Sequence, residues 1–330
     1  MARPQTMTDA DLTGDLSPDA ALRRIVVACR ADLEKYRTIV LKSRRPVGIH
    51  QARVALRRLR AAIALFKGAV DDADFAALAA EARWIAGELA ASRDLHVFTK
   101  EIAPEAAVAV QRIARRLANE RHHRARQALS GARYEEFAKL LGRVANATPS
   151  PTGTPLGRFG AAALAVRHAK VQQRGHKLAE LGATKLHKLR IAVKKLRYAA
   201  LFLRPLYSGA SSSNGHFDSK TTKAYIEATA RLQGVLGSLN DRAVAADIAA
   251  AIAQAARPSE KVAKPLARLV KEVKRGAKRD HRKLARAWKA FGEVEPFWKA
   301  RPQHRTGIHD QHPDRRRRTH PRHRADGLPG

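Results

Sequence analysis

Ile49–Phe66 reads IHQARVALRRLRAAIALF, and Leu186–Leu203 reads LHKLRIAVKKLRYAALFL. The two stretches align without a gap at an offset of 137 residues, placing His50 over His187, Arg53 over Arg190, Arg57 over Lys194, Arg58 over Lys195 and Arg60 over Arg197. At ~100° per residue, His50, Arg53, Arg57 and Arg60 share one helical stripe about 80° wide. Ala52, Ala55, Leu56, Leu59, Ile63 and Phe66 fall on the far arc, the expected core face. In the second copy His187, Arg190, Lys194 and Arg197 share the stripe, and Leu189, Ala192, Val193, Leu196, Ala200 and Leu203 share the core arc. Arg58 and Lys195 sit beside the stripes.

Neither stretch contains an acidic residue. Like charges at i,i+4 repel by a few tenths of a kcal/mol per pair, and an ordinary solvated helix face mixes acids with bases. Two equivalent helices that concentrate positive charge point to an anionic partner.

The whole chain supports that reading. It has 330 residues, 64 Lys and Arg against 30 Asp and Glu, and a formal net charge of +34. Residues 16–147 hold 25 basic and 14 acidic residues, and residues 157–298 hold 29 and 10, so the basicity belongs to both bodies and not to a tail alone. Such a chain attracts polyanions. Its 45% apolar residues suffice for a core, and its 5% aromatics, with abundant Ala and Leu, favour helices. Sustained strand-like alternation is absent, so the expected class is all-α.

Cys29, the only cysteine, fits a reducing compartment and a small core position. No signal peptide or membrane span is legible, and the expected location is cytoplasmic.

Ser17-Pro18-Asp19 reads as a helix start, with proline at the first helical position. Breaks are expected at Arg45–Gly48 and Gly68, and helix starts near Asp72 and Pro104, the latter helix ending at Gly131. TPSPTGTP (Thr148–Pro155) is uncharged and rich in Pro, Thr and Gly, as a linker would be. The expected organisation is therefore an extension (1–15), a first helical half (16–147), a linker (148–156), a second helical half (157–298) and a disordered basic tail (299–330). SGASSSNGHFDSK (Ser208–Lys220) reads as a flexible insertion.

The duplication extends past the motif. At the same offset Arg30 pairs with Arg167 and Arg37 with Arg174. GELAASRDLHV (Gly87–Val97) also resembles GVLGSLNDRAV (Gly234–Val244), pairing Asp94 with Asp241. These units are too long for a short-repeat solenoid. Two similar helical-bundle halves related by pseudo-twofold symmetry are expected, with the cationic stripes lining a shared basic central groove.

The doubled H-x-x-R-[VI]-A-[LV]-[RK]-[RK]-L-R pattern, each copy followed by a Leu…(R/N)-Asp-x-x-Val turn, resembles the CHAD domain family over roughly residues 16–298. The resemblance implies an all-helical fold of two bundle halves and binding of inorganic polyphosphate, in some members with association to polyphosphate granules. By position it implies ligands at His50, Arg53, Arg57, Arg58 and Arg60, and at His187, Arg190, Lys194, Lys195 and Arg197, with weaker candidates at Arg30, Arg37, Arg167 and Arg174. The lysines at 194 and 195 depart from arginine and lose its bidentate fork. The second Asp turn has Asn240 where the first has Arg93. Residues 1–15 carry no E-x-E-x-K signature of the CYTH triphosphatase domain that often accompanies this family, so a stand-alone member is expected.

Each histidine has two readings: a donor or induced cation for phosphate, or a helix-start residue bonded to backbone. Asp94 and Asp241 either orient an arginine of the groove or cap a helix start. A nucleic-acid binder is the main rival, and incidental, salt-sensitive nucleic-acid binding is expected in any case. Zinc, RNP and basic–aromatic signatures of dedicated binders are not found. Phosphoryl-transfer chemistry is not expected, because no Walker-type loop or clustered carboxylates for Mg²⁺ are visible. Asp71, Asp72 and Asp74 read as the acidic first turn of a helix. The tail histidines (His304, His309, His312, His320, His323) have irregular spacing, so neither metal nor cofactor is expected. Arg315–Arg318 adds non-specific attraction for polyanions.

Overall fold

The computed structural model describes residues 12–70, 73–104, 106–150, 153–207, 219–256 and 260–299. Among them are nine long helices: α1 Pro18–Lys42, α2 Pro46–Phe66, α3 Ala73–Val97, α4 Val108–Ser130, α5 Ala132–Asn146, α6 Leu156–Gly175, α7 Ala183–Leu203, α8 Ser219–Ala255 and α9 Glu260–Gly292. No strand occurs among the described residues; the only bridge joins Lys67 to Val70. The expected insertion (208–218 of it), the expected tail from 300 onward with its histidines and arginine run, and Asp71 and Asp72 lie outside the described residues. Among the described residues no helix is long and apolar enough to cross a membrane.

Local chemistry sets the helix ends. Ser17 caps α1, its hydroxyl accepting from the Ala20 amide at 3.2 Å, with Pro18 at the first helical position. Pro46 opens α2 in the same position. The chain leaves α2 through Gly68 at φ +92°, a conformation that favours glycine. Gly131 ends α4 as expected. The helix expected at Pro104 starts later, at Val108. A π-turn over Phe98–Ile102 first ends α3, and the Gln111 side chain donates to the Ala103 carbonyl at 2.6 Å just beyond it.

The twelve apolar positions assigned to the core faces of α2 and α7 are all buried. They belong to one large cluster that also takes in α1, α3, α6 and the near ends of α8 and α9. Phe66 of α2 stacks on Phe159 of α6, centroids 5.2 Å apart. A smaller cluster packs Phe98, Val110 and Ala114 against Ala245, Ile252, Val262 and Leu269. Both clusters join early helices to late ones, and the described residues form one compact unit.

The linker is tied down at its base. The Ser150 amide donates to Asp19 at 2.7 Å, Ser17 donates to the Ser150 carbonyl at 2.7 Å, and the Leu156 and Gly157 amides donate to the Leu16 and Gly14 carbonyls.

Candidate functional site

The two motif helices are the second helix of α1–α5 and of α6–α9, and they pack against each other. Their core arcs face inward, so the cationic stripes meet along the junction. Arg57 of α2 donates from Nε to the Tyr198 hydroxyl of α7 at 2.7 Å, and its guanidinium lies 5.8 Å from that ring's centroid. Arg190 acts electrostatically on Arg53, and Arg57 acts on Arg190, Lys194 and Arg197. Like charges in such proximity destabilise the empty protein and favour an anion between them.

A cleft of about 800 Å³ opens along this junction. Among the described residues its charged lining is Arg57, Arg60, Lys67, Arg83, Lys194 and Lys195, with no carboxylate, over a floor that includes Ile63, Phe66, Phe75 and Ile191. A second cleft of about 740 Å³ lies between α7, α8 and α9 and is lined by His187, Arg190, Asn240, Arg242, Lys274 and His281. Arg190 and Lys194 stand about one turn apart on α7, so the two clefts adjoin through that helix.

Burial and like charge act on most members of the cluster. Burial, then Arg190, Arg57, Arg60 and Lys195, pull the Lys194 ammonium down to about 8. Burial lowers Arg53 and Arg190, while Asp94 and Asp241 oppose it. His50 is held below its usual range by burial, then by Arg93 and Arg57, so its ring is neutral near pH 7. Burial also lowers Arg197, whose Nη1 approaches Gln233 at 3.4 Å while its buried Nε has no hydrogen-bond partner among the described residues.

Not every expected ligand reaches the groove. His50, Arg53, Arg57, Arg60, His187, Arg190, Lys194, Lys195 and Arg197 gather along the junction and its two clefts. Arg58 turns to α1 and pairs with Asp32 at 2.8 Å. Arg30 pairs with Glu34 at 2.8 Å and lines a separate crevice between α1 and α5. Arg37 donates to the Leu129 carbonyl at 2.7 Å, beneath the end of α4, and lies over the Tyr134 ring at 4.6 Å. Arg167 crosses from α6 to the Ala64 and Leu65 carbonyls, closing the end of α2. Arg174 donates to the Lys188 carbonyl at 2.8 Å. Three of these four pre-motif arginines therefore hold carbonyls of other helices, two of them at helix C-termini, where positive charge is favoured.

Asp94 lies within α3 and Asp241 within α8, so neither caps a helix start. The turn expected at Asn240–Asp241 is not formed either, because α8 continues to Ala255. The two carboxylates line one small cavity with Phe98 and Val244 and act on each other electrostatically. Burial raises Asp94 above the usual carboxylate range, with Asp241 adding to the effect and Arg53, Arg93 and Arg190 opposing it. Neither motif histidine bonds a backbone amide among the described residues. Lys67 and Arg83 were not anticipated: Arg83 comes from α3, and no spacing in the sequence connects it to the motif.

A CHAD domain family model matches residues 24–250. The chain belongs to the CHAD domain family. In three dimensions this CHAD protein is similar to the crystal structure of the CHAD domain from the plant Ricinus communis, with a TM-score of 0.74 and 23% identity over 89% of this chain and 98% of that one. It is also similar to PptA from Streptomyces chartreusis, with a TM-score of 0.63 and 16% identity over 84% and 99%. No curated protein matches it in sequence. The family match stops inside α8, so α9 lies beyond it.

Proposed function

We propose that this protein binds inorganic polyphosphate without chemically altering it. The ligand lies in the groove between α2 and α7, and the two halves contribute to it as pseudo-twofold equivalents. The observation that carries this reading is the convergence of the two ridges. Arg57 and Tyr198 join them, and among the described residues the cleft beside them carries six cations and no carboxylate. A polyphosphate chain has about one charge per phosphate and no base edges, so recognition rests on charge and groove shape. Lys and Arg neutralise phosphates and release counterions, and arginine forks can span two oxygens. Attachment to polyphosphate granules is the cellular consequence proposed.

The test is binding of a polyphosphate length series at two salt concentrations. Wild type is compared with Arg53→Glu/Arg57→Glu/Arg190→Glu/Lys194→Glu, with circular dichroism to follow the fold. Affinity should fall at least hundredfold, and the slope of log K against log salt should shrink by about 3, the loss of four phosphate contacts at ~0.7 each. Lys194→Glu/Lys195→Glu, placed at the cleft rim, covers the case in which the fourfold variant fails to fold. Unchanged affinity in a folded variant removes the site, and steady phosphate release by the pure protein overturns the non-catalytic reading.

A further inference from the structure

The strongest charge asymmetry outside the groove is on α9. The helix carries twelve lysines and arginines against Glu260, Glu272 and Asp280, and at 1.5 Å per residue its 33 residues run about 50 Å. Val262, Leu269, Val273, Leu284 and Phe291 bury one side. Lys271, Arg275, Lys278, Arg279, Arg282 and Arg286 stand exposed on the other, and none makes an ion pair among the described residues. Stepping ~100° per residue puts these six within an arc of about 100°. The exposed Lys283 widens the cationic arc to about 140°, whereas Lys274, at the other edge, lines the second cleft. This ridge is outside the repeated motif, beyond the family match, and not needed to form the groove between α2 and α7.

We propose that the outer face of α9 is a second binding surface, and that its ligand is the phosphate backbone of double-stranded nucleic acid. The ridge is convex and lies wholly C-terminal to Pro265, the proline inside α9, whereas a lone flexible polyanion presents a single row of charge and leaves one flank of such a ridge unused. A B-form duplex presents two phosphate rows beside a major groove about 12 Å wide, comparable to a helix with its side chains. Cations on both flanks of α9 can then meet both rows. The face has no exposed aromatic on which single-stranded bases stack; Trp288 is half-buried, its ring against Gly175 of α6. Contacts to backbone alone make the binding independent of sequence and steeply salt-dependent. The inference stands whether or not the groove takes polyphosphate.

The experiment measures anisotropy of a labelled 20-base-pair DNA duplex across a salt series, using the full chain. Lys271→Glu/Arg275→Glu/Lys278→Glu/Arg282→Glu changes only exposed positions. It should weaken duplex binding at least tenfold and reduce the salt slope by about 3 to 4, at ~0.9 per lost contact. Its affinity for long polyphosphate should change far less. Lys194→Glu/Lys195→Glu should leave duplex binding near wild type. Retained duplex affinity in the α9 variant overturns the proposal. So does an equal loss in the rim variant, a proportionate loss of polyphosphate affinity in the α9 variant, or tighter binding of the matching single strand.

Discussion

On α2 the cations are braced, whereas on α7 the two lysines are left open. Arg53 donates to the Ala86 carbonyl at 2.8 Å, Arg57 to Tyr198 and Arg58 to Asp32, so three of the four arginines of the first motif already have protein partners. On α7, His187 and Lys195 are exposed, and Lys194 is half-buried among cations, with no acidic neighbour acting on it among the described residues. Arg197 keeps a buried Nε without a partner among the described residues. One sequence pattern thus serves two physical roles. The first ridge fixes geometry, and the lysines of the second hold charge whose desolvation the protein itself compensates poorly.

The sharpest way to break that contrast is to neutralise each ridge in turn. Lys194→Ala/Lys195→Ala should weaken polyphosphate binding about hundredfold, at ~1.5 kcal/mol for each lost charge-assisted contact, with thermal stability unchanged or improved because like-charge repulsion is relieved. Arg53→Ala/Arg57→Ala should lower the melting temperature as well as the affinity. Equal melting temperatures for the two variants would erase the distinction between brace and reservoir.

A smaller effect tests the bridge. Tyr198→Phe removes the acceptor for Arg57 and should cost about 1 kcal/mol of stability in denaturant unfolding, with a several-fold loss of affinity as Arg57 becomes mobile. An unaltered midpoint would mean the bridge adds nothing to the alignment of the ridges.

The smallest effect is in pH. The folded Lys194 ammonium titrates near 8, below its ordinary 10.5. Its burial penalty is therefore full below pH 8, and stability recovers as pH rises from 8 towards 10.5, where the unfolded chain binds more protons. An anion in the groove favours the charged ammonium, so binding takes up protons, and affinity should fall by a few-fold between pH 7 and 9. Lys194→Arg should flatten that profile; calorimetry in two buffers of different ionisation enthalpy reads the proton uptake directly.

Much of this was legible in the repeated motif. The 3.6-residue period separated core from cationic stripe, and every assigned core position on α2 and α7 is buried. Turn chemistry located the ends of α1, α2 and α4 from Ser17, Pro18, Gly68 and Gly131. Periodicity along one helix does not report what lies across from it. The same alignment that paired Arg58 with Lys195 could not reveal Asp32 beneath only one of them. Likewise Arg37, Arg167 and Arg174 are basic residues at repeated positions, but whether they meet phosphate or a helix-end carbonyl is decided by where α4, α2 and α7 lie. The Asp241 turn failed for a local reason: RAVAADIAAAIAQ follows with no breaker and continues the helix, whereas Asp94 is soon followed by a π-turn and Pro104.

The linker between Asn146 and Leu156 has a kinetic consequence. Ser150 is clasped by Ser17 and Asp19, and Leu156 and Gly157 by Leu16 and Gly14. A crossing anchored at both sides is a poor hinge, so capture needs no clamshell closure. Encounter should approach the electrostatically steered limit, falling as ionic strength rises, and differences among ligands should reside in how slowly they escape.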